Sequence, residues 1–124
     1  MKYLILIYSN PASREIWEGF SDEQRAEGFR YYGALTEELA ASGELIVTEA
    51  LADPSLTRRV TVRDGQTVTS DGPFAETREQ LGGYFLIDAK DLDEAIAIAT
   101  RIPMASRGTV EIRPILELQG LPER

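Results

Sequence analysis

The order of patterned segments in this chain predicts an α+β fold: strand, helix, strand, an inserted hairpin, then strand, helix, strand. Three observations carry that expectation. Tyr3–Tyr8 (YLILIY) and Tyr84–Ala89 (YFLIDA) are short runs with apolar residues on both alternating faces, as strands buried on both faces are. Asp22–Ala41 and Leu92–Arg101 carry helical spacing behind capping residues. Between the two halves, Asp64-Gly65 separates Arg59–Val62 from Gln66–Thr69, both rich in β-branched residues, which is a strong hairpin signal.

Taken in order, Tyr3–Tyr8 is the first strand. Asn10–Gly19 opens with Asn-Pro and is expected to be a loop carrying Trp17, the only tryptophan. Ser21 and Gln24 form a capping box, so a helix starts at Asp22 and stops at Gly43. Its expected inward stripe is Gly28, Phe29, Tyr32, Leu35 and Leu39. Gly28 in mid-helix costs roughly 1 kcal/mol against Ala, which suggests close packing there. Glu44–Leu51 follows as a strand, and Ala52–Leu56 as a polar connection with Pro54.

After the hairpin comes the corner Ser70–Gly83. Asp71 can bond its own backbone, Gly72 tolerates positive φ, and Pro73 locks φ near −65°, so Phe74 sits at the end of a rigid joint. Glu76–Gln80 reads as one helical turn. Asp91 with Glu94 caps the second helix, whose expected core stripe is Leu92, Ala95, Ile96 and Ala99, and Pro103 ends it. Thr109–Ile115 alternates and contains Pro114, which marks an edge strand. Residues 1–116 then form a single domain, and 117–124 a C-terminal tail.

This order is the ferredoxin-like βαββαβ plan with an inserted β-hairpin. In that plan the first and third main strands occupy the middle of the sheet, which are the two that read as apolar on both faces. Two helices cover one face only. Leu4, Leu6 and Tyr8 point opposite to Tyr3, Ile5 and Ile7, and Tyr84 and Leu86 opposite to Phe85 and Ile87. Whichever set misses the helices leaves a contiguous apolar patch, so a homodimer through the open face is expected, with the hairpin folding back over its own sheet as the rival.

Composition narrows the chemistry. With 21 acidic against 13 basic residues the net charge is −8, which argues against direct nucleic-acid binding and an anionic membrane surface. The longest apolar run is far too short to span a bilayer, and a cytoplasmic location is expected. The chain has no Cys and no His, which removes thiolate catalysis, imidazole acid–base work and His/Cys zinc sites. Carboxylates, tyrosines, hydroxyls and arginines remain, and all basic residues except Lys2 and Lys90 are arginine, suited to holding carboxylate or phosphate. No cofactor is expected.

The block TSDGPFAETREQLGGYFLIDAKDLDEAIAIATRIP followed by VEIRPI resembles the DGPF-type proteins of the YCII-related family, and YLILIY and YYGALTEEL fit it too. The resemblance covers nearly the whole chain and implies a dimeric α+β barrel of ferredoxin-like subunits with a cleft near the sheet edge. DGPF-type relatives are often encoded beside extracytoplasmic-function sigma factors, which implies a regulatory setting. Some YCII-type relatives carry a His in the first helix and an Asp before the second helix's terminal proline as a proposed catalytic pair. Those positions here are approximately Tyr32 and Ile102, so that mechanism is not carried over.

Asp71 is the leading candidate carboxylate, read either as a functional group or as a turn cap. Tyr32 is read either as core or as a hydrogen-bond donor at a cleft, since a phenol near pKa ~10 donates at neutral pH. Phe74, Gly72 and Pro73 shape the corner. Trp17 is a lid or a core-edge cap, and Arg58 and Arg59 are an anion contact or solvated surface. Glu76 and Glu79 with Asp71 match no metal spacing, so no metal site is expected. The functional expectation is a small-molecule binding or sensing protein. The alternative is a lyase or isomerase using Asp71 as base or orienter and Tyr32 as donor.

Overall fold

The computed structural model describes residues 1–72 and 79–117. It contains β1 (Lys2–Ser9), α1 (Pro11–Glu18), α2 (Asp22–Ser42), β2 (Leu45–Ala50), β3 (Arg58–Arg63), β4 (Gln66–Asp71), β5 (Gln80–Asp88), α3 (Leu92–Thr100), α4 (Met104–Arg107) and β6 (Thr109–Pro114). The main sheet is antiparallel with order β2-β5-β1-β6, which is the ferredoxin-like arrangement with the two fully apolar strands at its centre. β3 and β4 form a separate two-stranded sheet around the Asp64-Gly65 turn, where both residues take positive φ as a type I′ turn requires.

The core lies between the sheet and the helices. Tyr3, Ile5 and Ile7 of β1 and Phe85 and Ile87 of β5 pack against Leu35 and Leu39 of α2 and Ala95, Ile98, Ala99 and Ile102 of the α3 region. Leu4, Leu6, Tyr8, Tyr84 and Leu86 occupy the opposite face, which no helix among the described residues covers, and are only half-buried. Among the described residues β6 pairs with β1 alone, as an edge strand does, and Pro114 takes its last position.

Four expectations change. Asn10–Gly19 is largely helix: Asn10 accepts from the Ser13 N–H at 2.7 Å, Ser13 Oγ accepts from the Asn10 N–H at 2.9 Å, and Pro11 sits at the first helical position. Gln80, expected to close a helical turn, opens β5, where Gln80 and Leu81 pair with Ser9 and Tyr8; residues 76–78 of that turn lie outside the described residues. Phe29 is 66% exposed and leaves the α2 core stripe to Leu35 and Leu39. In α3, Leu92 and Ile96 face solvent, and Ile98 takes the core position with Ala95 and Ala99. The helix turns its small-residue side to the sheet, so the nearest large side chain, Ile98, fills the gap that Ala95 and Ala99 leave.

The hairpin does not fold back over the sheet. Every residue of β3 and β4 is exposed, and the main contacts of each strand are with the other.

Candidate functional site

Between α1, α2 and the helix-covered face of the sheet lies a cleft of about 620 Å³, within the range of small-molecule sites. Its floor is the β1–β5–β2 end of the sheet: Ile7, Phe85, Thr48 and the glycine pair Gly82-Gly83. Gly83 is required by packing, because a Cβ there would stand 2.8 Å from the Glu49 carbonyl oxygen of β2. One wall is α2 with Phe29, Tyr32 and Thr36, another is α1 with Ser13, Arg14, Trp17 and Glu18, and α4 closes the far side with Met104 and Arg107. Glu49, Leu51 and Asp53 line the mouth.

The helix α1 places the polar and aromatic groups together. Arg14 and Trp17 are three residues apart, so they share a helix face. The Arg14 guanidinium reaches back to the Ser9 carbonyl oxygen at 3.5 Å and to Ser9 Oγ at 3.4 Å. The Trp17 ring meets Phe29 edge-on at 5.4 Å and Phe20 at 5.9 Å, with the Arg25 guanidinium 5.8 Å from its centroid. Gly28 lies under that ring, where a Cβ would make an ordinary 3.6 Å contact, so the close packing expected at this glycine is with Trp17.

Tyr32 is the central polar group. Burial raises its phenol above the ordinary value, while the Met104 backbone N–H bonding to its oxygen and the charge of Arg107 pull partly the other way. The phenol therefore remains protonated at neutral pH. Among the described residues no acceptor takes its O–H. The hydroxyl is thus an available donor in the cleft. Arg107, whose guanidinium lies 5.1 Å from the Phe20 ring centroid, adds positive potential beside it. At the mouth, Asp53 is held below the usual carboxylate range, chiefly by hydrogen bonds from Ser55, with Arg14 adding a smaller pull. Thr36 and Thr48 spend their hydroxyl protons on the Tyr32 and Tyr84 carbonyls, so each presents a methyl group and an oxygen.

A second groove of about 670 Å³ runs between α2 and the α3–α4 segment and shares Trp17, Tyr32, Met104 and Arg107 with the cleft. Those four side chains form the partition between the two.

Of the residues singled out in the sequence, Tyr32 and Trp17 line the cleft. Asp71 ends β4 with a side chain 89% exposed, pairs with Arg58 at 3.4 Å, and does not line it. Arg59 also lies outside, its side chain folded over Gly72, where a Cβ would come within 2.9 Å of Arg59 Cγ. Gly72 is buried and its N–H bonds the Thr57 carbonyl oxygen at 3.1 Å, which ties the base of the hairpin together. Pro73, Phe74 and Glu76 lie outside the described residues. Ile102 is core. The sequence reading missed Arg14, Phe29 as a wall residue, and Arg107. The available signal was Asn10-Pro11 with Ser13, which implies α1 and so brings Arg14 and Trp17 onto one face.

A model of the YCII-related domain matches residues 1–119. A protein of Rhizobium meliloti (strain 1021), named uncharacterized protein R00369, is 33% identical over 117 residues, covering 93% of this chain and 92% of its own. Among solved structures, 5-chloro-2-hydroxyhydroquinone dehydrochlorinase (TftG) from Burkholderia phenoliruptrix AC1100, in complex with 2,5-dihydroxybenzoquinone, covers 96% of this chain and 97% of its own at a TM-score of 0.53 and 15% identity. The last is a likeness of fold.

Proposed function

Because the chain belongs to the YCII-related domain family, we propose that it binds a small, flat, oxygen-bearing molecule in the cleft between α1, α2 and the sheet. The observation that carries this reading is Tyr32, a protonated phenol with an unspent O–H, set among Trp17, Phe29 and Phe85 and beside Arg107. The aromatic walls supply apolar area for a planar ring, and the hydroxyl and guanidinium supply direction toward an oxygen substituent. The dehydrochlorinase of like fold holds a dihydroxybenzoquinone, a molecule of that shape. The role is binding or sensing, in a cytoplasmic, sigma-factor-linked setting, by a homodimer joined through the uncovered sheet face.

Trp17 is the only tryptophan, so its fluorescence reports on the cleft without labelling. Titration with 2,5-dihydroxybenzoquinone should quench it saturably, and the same compound should raise Tm, since a ligand at 100-fold its Kd adds about 2.7 kcal/mol. A linear, non-saturating response with no change in Tm defeats the reading.

The enzymatic alternative uses Tyr32 as donor and Asp71 as base. It requires Asp71 to be brought to the cleft, by movement of the hairpin or from a second copy. Loss of turnover in Asp71→Asn with binding intact would support it, and unchanged turnover would remove Asp71 from the chemistry.

A further inference from the structure

We propose that the molecule taken by the cleft is a planar ring bearing an ionised carboxylate, and that Arg107 is the residue that selects it, by pairing with that carboxylate beside the Tyr32 hydroxyl. The inference rests on the cleft reading above and names the class of its ligand.

Four arginines surround the cleft and the groove next to it, and three are committed to the chain. Arg14 reaches the Ser9 carbonyl oxygen at 3.5 Å and Ser9 Oγ at 3.4 Å. Arg25 donates to the carbonyl oxygens of Trp17 at 3.1 Å and Glu18 at 2.9 Å. Arg101 pairs with Glu38 at 2.5 Å. Arg107 differs. Among the described residues its guanidinium forms no ion pair and donates to no oxygen. Its contact is with the ring of Phe20, over which it lies at 5.1 Å. Such a contact fixes a guanidinium through its flat face and leaves the N–H fork at its rim unspent.

The root of this side chain is fixed as well. α4 follows Ile102, which is buried in the core, and ends at Gly108, whose N–H bonds the Met104 carbonyl oxygen at 2.8 Å. A Cβ on Gly108 would stand 2.6 Å from the Tyr8 carbonyl oxygen, so the end of α4 lies directly on β1. Phe20, the ring under the guanidinium, is itself edge-on to Trp17 at 5.9 Å. Ordering a long side chain costs free energy on binding, and here much of that order is present before a ligand arrives.

Position sets the ligand's orientation. Arg107 and Tyr32 both line the cleft and the groove, in the partition between the two. The carboxylates of the cleft lining, Glu18, Glu49 and Asp53, stand on the α1 wall and at the mouth, together with Arg14. The groove adds Glu27 against Arg101 and Arg107. None of these carboxylates is within ion-pair distance of Arg107. An acid group turned to the mouth would meet like charge. Turned to the partition, it meets an uncommitted guanidinium and a phenol O–H, with its ring left among Trp17, Phe29 and Phe85. A neutral oxygen substituent could use the phenol, but only an anion gains the stronger charge-assisted bonds from the fork.

Benzoate and benzamide share a shape and differ in charge, so the ratio of their affinities reads the carboxylate alone. By Trp17 fluorescence, benzoate should bind the wild-type protein about tenfold or more tighter than benzamide. Arg107→Gln should bring that ratio below about threefold, and Arg107→Lys, which keeps the charge and loses the fork, should fall between the two. Arg30→Gln, on an exposed turn of α2 outside both spaces, should keep the wild-type ratio. A merely structural role for Arg107 would lower both affinities together and leave the ratio unchanged in Arg107→Gln, which overturns the inference. Benzamide bound by the wild type as tightly as benzoate also overturns it and leaves the cleft reading standing. So does saturable quenching by 2,5-dihydroxybenzoquinone with none by benzoate. No response to any of the three compounds defeats the cleft reading and this inference with it.

Discussion

Tyr32 combines burial with an O–H that no described acceptor takes, so its removal is the most informative single change. Tyr32→Phe keeps the ring and should weaken ligand binding roughly five- to tenfold, the worth of about one hydrogen bond, as read by Trp17 fluorescence. The direction of the phenol's shift also makes a pH statement. The folded protein binds the Tyr32 proton more tightly than the unfolded chain does. Its contribution to stability is therefore fully present below the ordinary tyrosine pKa of about 10 and is lost as pH rises through the higher folded value. Burial raises the Tyr8 phenol too, so absorbance titration should show one late-ionising tyrosine fewer in Tyr32→Phe than in the wild type. An equal titration in both would remove the burial argument. Gly83 carries a second residue-scale prediction. Gly83→Ala pushes a methyl group to 2.8 Å from a β2 backbone oxygen, which cannot swing aside as a side chain can. A loss of about 1–3 kcal/mol in denaturant unfolding is expected, with ligand affinity reduced because the strand forms the cleft floor.

At the scale of elements, α1 decides whether the cleft has its outer wall. Its start depends on the reciprocal bonds between Asn10 and Ser13, and it carries Arg14 and Trp17. Asn10→Ala should cost about 0.5–2 kcal/mol of cap energy, spent locally in α1. Trp17 anisotropy should fall and ligand affinity drop, while the global Tm moves little. A large fall in Tm with affinity preserved would make α1 a structural strut instead. The helix was legible in Asn10-Pro11-x-Ser13, yet its short length and the preceding strand favour a loop when only periodicity is weighed. In α3 the apolar residues are spread around the helix, and the stripe expected from the sequence was Leu92, Ala95, Ile96 and Ala99. Packing chose Ala95, Ile98 and Ala99 over Leu92 and Ile96 because the sheet approaches closely enough for alanine.

For the whole molecule, the uncovered face is the governing feature. Leu86→Lys places a charge in the centre of that face without touching the helix-side core. It should abolish self-association at micromolar concentration while leaving the fold cooperative, measured by light scattering and thermal melting. If Leu86→Lys remains as associated as wild type, the interface lies elsewhere. If the wild type is itself monomeric, the exposed leucines and tyrosines need another cover.

Sheet order, the two central strands, the α2 capping box and the Asp64-Gly65 turn were determined by the sequence, because each depends on contacts within a few residues or on burial of both faces of one strand. The opposition of Tyr3, Ile5 and Ile7 to Leu4, Leu6 and Tyr8 was equally legible, since alternation in a strand is a covalent regularity. Which of the two sets meets the helices was not, because either satisfies the pattern and only the handed crossover of the βαβ units selects one. The cleft was half legible. Tyr32 and Trp17 carry a local mark, as an aromatic on a helical stripe and a lone tryptophan near a glycine. Arg14 and Arg107 join them only when α1 and α4 both close on the N-terminal half of α2, across more than ninety residues of chain. Of the corner's candidate site residues Asp71 and Gly72 are described, outside the cleft lining, and the corner at Asp71 was legible because rigidity is local. The cleft lies elsewhere because enclosure is not: walls from β1, α2, β5 and α4 must converge, and that convergence exists only in the tertiary structure.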